Sequence, residues 1–137
     1  MSISKSKTYK CKVCGTEKPM VSSQTNVYCS NACQGRDRRN KKILEWKAGK
    51  RVDKSVIKRY LTETTGNFCY VCGIGDWNGK TIVLDLEHID GNSDNNREDN
   101  VALICPNCHS QTSTYKGRNK GNGRHTRRER YAEGKSY

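Results

Sequence analysis

Apolar residues are sparse in this chain, and where they cluster they keep a helix or strand period. Within residues 54–65 (KSVIKRYLTETT), Val56, Ile57, Tyr60 and Leu61 fall at helical spacing. Asp53 or Ser55 can cap the start of that helix and Gly66 can end it. Residues 34–48 (QGRDRRNKKILEWKA) predict an earlier helix with only Ile43, Leu44 and Trp46 as apolar anchors, and Gly49 and Val52-Asp53 break the two apart. Residues 81–87 (TIVLDLE) start β-branched and then alternate, which predicts a strand. Residues 90–100 lack any large apolar side chain and predict a polar loop, and Val101–Ile104 predicts a second short strand. Pro106 suits the first turn of a helix running to about Tyr115. Residues 117–137, with four glycines and many arginines, are expected to form a flexible arm.

Composition sharpens this picture. The chain has 137 residues, of which 32% are hydrophobic, and its mean hydropathy is −0.99. One or two small domains fit that length, but so polar a chain cannot bury a large apolar core and needs another source of stability. Eight cysteines supply a candidate, in the pairs Cys11/Cys14, Cys29/Cys33, Cys69/Cys72 and Cys105/Cys108. The start, MSISKSKTYK, has no apolar signal-peptide core. No run approaches the roughly 18 apolar residues of a membrane span. The expectation is a cytoplasmic protein with no membrane partner, where paired cysteines favour metal over disulfides, the competing reading.

The first four cysteines are spaced C-x2-C-x14-C-x3-C, which can close a tetrahedral zinc site resembling a treble-clef finger. Gly15 can take the positive φ of the tight turn, and Ser30 can cap a helix. Four thiolates leave no coordination position open, so this zinc would be structural. Lys10, Lys12, Lys18, Arg36, Arg38 and Arg39 surround it and are candidate phosphate contacts. Cys69, Cys72, Cys105 and Cys108, with 32 residues between the pairs, can hold a second structural zinc that pins both ends of a later module. The expected architecture is small, zinc-stabilised α+β. It comprises a four-cysteine finger (1–35), a basic helical linker (36–65), a second module (66–116) and a basic tail (117–137).

The net charge of +12 is unevenly distributed. Residues 1–60 hold 16 Lys/Arg against 4 Asp/Glu, residues 61–115 hold 2 against 8, and residues 116–137 hold 8 against 2. Basic arms suit a polyphosphate partner, because each phosphate contact releases a condensed counterion. An acidic centre suits a divalent cation. Solubility alone is the plainer account of such runs.

Inside the acidic centre lie Glu87-His88, then Asn100 after eleven residues, then His109 after eight more, directly behind the last cysteine pair. This set suits phosphodiester hydrolysis. Histidine is an effective general base near neutral pH, a role open to His88. Glu87 and His109 offer an oxygen and a nitrogen ligand to a divalent cation and leave positions open for phosphate and water. Asn100 can orient the His88 segment or be a turn residue. His109 can also replace a cysteine on zinc, although four cysteines already fill that shell. An EF-hand reading of the 90–100 loop fails, because Asn95 stands where glycine is needed and Val101 where glutamate is needed. Lys116 and Arg118 follow the predicted helix and are candidate phosphate contacts; His125 is a bystander in the tail.

With acid-His, Asn, CxxCH and an outer CxxC in order, residues 67–118 resemble the HNH, or ββα-metal, endonucleases, in their branch with two CxxC pairs. The whole chain resembles the small free-standing members common in bacteriophages. The resemblance implies a ββα-metal module and cleavage or nicking of double-stranded DNA to 5′-phosphate and 3′-hydroxyl ends. It implies His88 as general base, Asn100 as brace, and Glu87 and His109 as ligands of a catalytic Mg²⁺ or Mn²⁺. Glu87 departs from the family's usual aspartate, and Asp85, on the same strand face by alternation, is the alternative ligand. Two other classes compete: a non-catalytic zinc module that binds nucleic acid, and a zinc protein that binds RNA. No dimerisation face is legible, so nicking by a monomer and double-strand cleavage by a dimer are both open.

Overall fold

The computed structural model describes residues 7–23, 26–120 and 125–135, the side chains of 125–127 excepted. The first six residues and the His125 side chain lie outside the described residues. The chain divides into two compact units, Met1–Leu44 and Glu45–Tyr137.

In the first unit, β1 (Thr8–Lys10) and β2 (Glu17–Pro19) pair antiparallel. The turn between them holds Cys11 and Cys14, with Gly15 at φ +72° donating its N–H to the Cys11 carbonyl at 2.9 Å. Helix α1 (Asn31–Lys47) starts as the sequence predicts, with Ser30 Oγ accepting from the Cys33 N–H at 3.3 Å. Tyr28 donates to Asp37 on that helix at 2.8 Å. Cys11 and Cys33 are the only buried residues among those described up to Leu44. The cysteines therefore occupy the place of a hydrophobic core in this unit.

The second unit has an apolar core. Asp53 caps α2 (Lys54–Thr65), accepting from the Ser55 N–H at 2.8 Å, and Gly66 ends it at φ +85°. Ile57 and Leu61 face inward from α2, and the helix packs on β5 (Asp85–His88) and β6 (Val101–Ile104). Residues 45–65 cluster with the second unit. β5 and β6 are antiparallel, with Asp85 opposite Ile104, Leu86 opposite Leu103, Glu87 opposite Ala102 and His88 opposite Val101. Helix α3 (Pro106–Gln111) follows β6 directly.

The predicted strand over 81–87 is divided. Thr81 pairs with Asp76 in a separate hairpin of β3 (Asp76–Trp77) and β4 (Lys80–Thr81), and pairing resumes only at Asp85. The cause is Asn78-Gly79, with φ of +52° and +72°, the left-handed pair that two-residue hairpins demand. Helix α3 stops at Gln111, short of the predicted Tyr115, because Thr112 takes an extended conformation and its hydroxyl donates to the His109 carbonyl at 3.0 Å. The tail, expected as a flexible arm, contains a 3₁₀ turn (Lys116–Asn119) and helix α4 (His125–Ala132). Among the described residues no helix is long and apolar enough to cross a membrane.

Candidate active site

Each four-cysteine cluster brings its sulfurs within 4.8 Å of one another. Cys14–Cys29 and Cys29–Cys33 lie at 3.5 Å, Cys72–Cys105 at 3.8 Å, and all eight thiols are free. A tetrahedron with 2.3 Å zinc–sulfur bonds has edges of about 3.8 Å, so both clusters could hold a zinc ion. Backbone N–H groups, that of Cys14 foremost, lower the Cys11 thiol to about 6. Burial alone would raise Cys69, but N–H groups of Cys105, Cys72 and Val71 outweigh it and bring the thiol to about 6. Their partners Cys29 and Cys108 are pushed up to about 12, chiefly by sharing protons with Cys14 and Cys72 respectively. Each cluster thus concentrates negative charge that a divalent cation can neutralise.

Strand alternation sends Asp85 and Glu87 to one face of β5, where α3 presents His109 to both. His109 Nε2 lies 3.1 Å from Glu87 Oε2, and His109 Nδ1 lies 3.1 Å from Asp85 Oδ2. Glu87 is buried, and its second oxygen accepts from the Thr114 hydroxyl at 2.8 Å. A neutral imidazole has one N–H. If Asp85 takes it at Nδ1, the Nε2 lone pair faces a carboxylate, which is favourable only with a proton or a cation between them. Adjacent ligands of an octahedral ion with bonds of about 2.1 Å stand about 3 Å apart, so the Glu87–His109 separation fits a shared divalent cation. Asp85 Oδ2 is placed to accept the Nδ1 proton of His109, the arrangement that fixes a metal-binding imidazole's tautomer.

His88 leaves β5 on the opposite face from Glu87. It is buried, and its Nε2 lies 2.9 Å from Asn96 Oδ1. Asn100 bonds the loop and not His88: its Oδ1 accepts from the Asp90 N–H at 3.1 Å, and its Nδ2 donates to Asp90 Oδ1 and the Asn95 carbonyl, each at 2.8 Å. Burial would raise the Asp90 carboxyl, but hydrogen bonds from Asn95 and Asn100 hold it below the usual carboxylate range. The structure therefore gathers Asp85, Glu87 and His109 into one cluster, His88 and Asn96 into a neighbouring one, and uses Asn100 as the loop's closure.

A cavity of about 690 Å³ opens beside His109 and is lined also by Lys54, Thr114, Lys116, Lys120 and Arg128. Tyr115 packs edge-on to His109 with ring centres 5.2 Å apart. Lys116 holds a positive φ of +46°, uncommon for a side chain of its size, with its ammonium 5.0 Å from the centre of the Tyr115 ring. Arg118 donates to the Ser110 and Thr112 carbonyls at 2.6 and 2.8 Å and so secures the end of α3. Arg36, Arg38 and Arg39 lie on α1 in the first unit. Sequence reasoning did not single out Thr114, Lys120, Arg128 or Asn96. Their roles come from contacts across the fold, and no local pattern marks them.

Gly91 joins the two clusters. It is buried at φ +74°, and a Cβ there would stand 2.6 Å from Asn119 Oδ1 and 2.7 Å from Thr114 Cγ2. Gly91→Ala is expected to destabilise the second unit by roughly 1–3 kcal/mol from backbone strain and this crowding. The check is a lower urea midpoint with an unchanged slope.

No family model and no solved structure matches the chain. Over 53 residues, 39% of its length, the chain is 55% identical to a curated protein of Escherichia phage T5 named H-N-H endonuclease F-TflIV. The match spans only 23% of that protein.

Proposed function

We propose that this chain is a DNA endonuclease of the HNH, or ββα-metal, kind, with two structural zinc sites and one catalytic divalent cation. The observation that carries the reading is His109 set between Asp85 and Glu87 at 3.1 Å each, beside a cavity lined by lysines and an arginine. The T5 relative's name supports the reaction class.

Glu87 and His109 would hold the cation, Mg²⁺ or Mn²⁺. When bound, it supplies Lewis-acid stabilisation of charge on the phosphate and the leaving oxygen. His88, at the end of β5 with its Nε2 against Asn96, would take the proton of the attacking water as general base. Attack on phosphorus with loss of the 3′ oxygen leaves a 5′-phosphate and a 3′-hydroxyl. Asn100 holds the loop through Asp90 and Asn95, and that loop carries the neighbours of His88. Lys54, Lys116, Lys120 and Arg128 face the substrate's phosphates; Arg36, Arg38 and Arg39, on α1 in the first unit, are separate candidate phosphate contacts. Backbone contacts of this kind suit double-stranded DNA.

The test is conversion of supercoiled plasmid by wild type and Glu87→Gln, each in EDTA, Mg²⁺ or Mn²⁺. Wild type is expected to nick or linearise only with added cation. Glu87→Gln, which removes a ligand charge, should cleave more slowly at a given cation concentration, with part of the loss recovered at high Mn²⁺. Open circles accumulating before linear product indicate strand-by-strand cutting. DNA binding without cleavage under every condition would instead favour a non-catalytic zinc module.

A further inference from the structure

We propose that Asn96 is the residue that orients the His88 imidazole, and that Trp46 holds Asn96 in place for it; the catalytic part of this proposal rests on the endonuclease reading above. Asn100, the obvious candidate from spacing, has both amide hydrogens and its oxygen engaged by Asp90 and Asn95. The side chain that meets the ring is Asn96, whose Oδ1 stands 2.9 Å from Nε2. An amide oxygen only accepts, so Nε2 carries the ring proton and Nδ1 keeps the lone pair that a general base needs. His88 is only 7% exposed, so packing restricts the ring's alternative orientations.

Asn96 is itself held at its main chain. Its carbonyl accepts from Trp46 Nε1 at 2.5 Å, and its N–H donates to the Asp94 carbonyl at 3.1 Å. Trp46 is 4% exposed, and Tyr60 packs edge-on to it at 5.3 Å. Tyr60 in turn donates to Glu98 at 2.8 Å. Trp46 and α2, both in the second unit, thereby fix the loop position whose side chain selects the tautomer of His88. Asn96 is a positioning residue: it touches the base and not the reacting atoms.

The experiment compares wild type, Asn96→Ala, Asn96→Asp and Trp46→Phe. Ring ¹⁵N spectra, with the chain's three histidines assigned by substitution, report the His88 tautomer. Wild type should show Nε2–H alone. Asn96→Ala should show a mixed tautomer and a kcat lower by on the order of 10- to 100-fold, a fraction of what a general base contributes, with KM, zinc content and melting unchanged. Asn96→Asp, which keeps an acceptor, should restore the tautomer and most of kcat. Trp46→Phe, which keeps bulk and loses the donor, should fall between. An unchanged His88 ring pattern in Asn96→Ala, or wild-type kcat in that variant, overturns the proposal. If wild type cuts no DNA, the endonuclease reading fails, while the ring spectra still decide whether Asn96 sets His88.

Discussion

His88→Ala is expected to reduce strand cleavage by about 10²- to 10⁴-fold, the range a positioned general base contributes, while DNA affinity stays as in wild type. The separation follows from the geometry. His88 is buried at the end of β5 and bonds Asn96, whereas the cations that would meet phosphate lie on α1 and around the cavity beside His109. Removing the imidazole subtracts a proton acceptor and no positive charge from those surfaces. The measurement is kcat on a cleavable duplex together with a binding titration at fixed salt, because affinity of this kind has meaning only at a stated salt concentration. Cleavage at wild-type rate in His88→Ala would exclude it as the base and direct attention to the Asp85–His109 pair.

Loss of the second four-cysteine site is expected to unfold the second unit outright. Cys69 and Cys105 are among its most buried residues, and Cys105 accepts from the Cys108 N–H at the start of α3. Structural zinc in small domains contributes an apparent free energy of about 10–16 kcal/mol, comparable with the about 5–15 kcal/mol stability of a whole domain. Cys105→Ser, or a strong chelator, should therefore abolish the cooperative melting transition, and bound zinc should fall from two ions per chain to one in the variant. Zinc loading should also release protons and strengthen as pH rises. Cys29 and Cys108, held up to about 12, must give up protons to bind, whereas Cys11 and Cys69, at about 6, are already thiolates at neutral pH. Proton uptake on loading, or a melting curve indifferent to complete zinc removal, would refute a structural zinc role.

Local features were legible in the chain because their causes are local. Asp53 and Gly66 bound α2, Ser30 starts α1, Gly15 turns the first cysteine pair, and Pro106 opens α3, each through the conformational preference of one residue. The cysteine spacing likewise brings four sulfurs into each cluster. Asn78-Gly79 was an equally local signal, and its hairpin divides what the alternation of 81–87 joins into one strand.

Tertiary structure decided how the candidate site is partitioned. Neighbours in sequence, Glu87 and His88, leave β5 on opposite faces because strand side chains alternate. Asp85 and Glu87, two apart, share His109 because α3 packs against their face. Asn96 and Trp46 lie 50 positions apart and meet only through the loop's fold. A sequence specifies which donors, acceptors and charges exist and the local turns that carry them. Which donor meets which acceptor depends on long-range packing, where burial forces each polar group to find a partner.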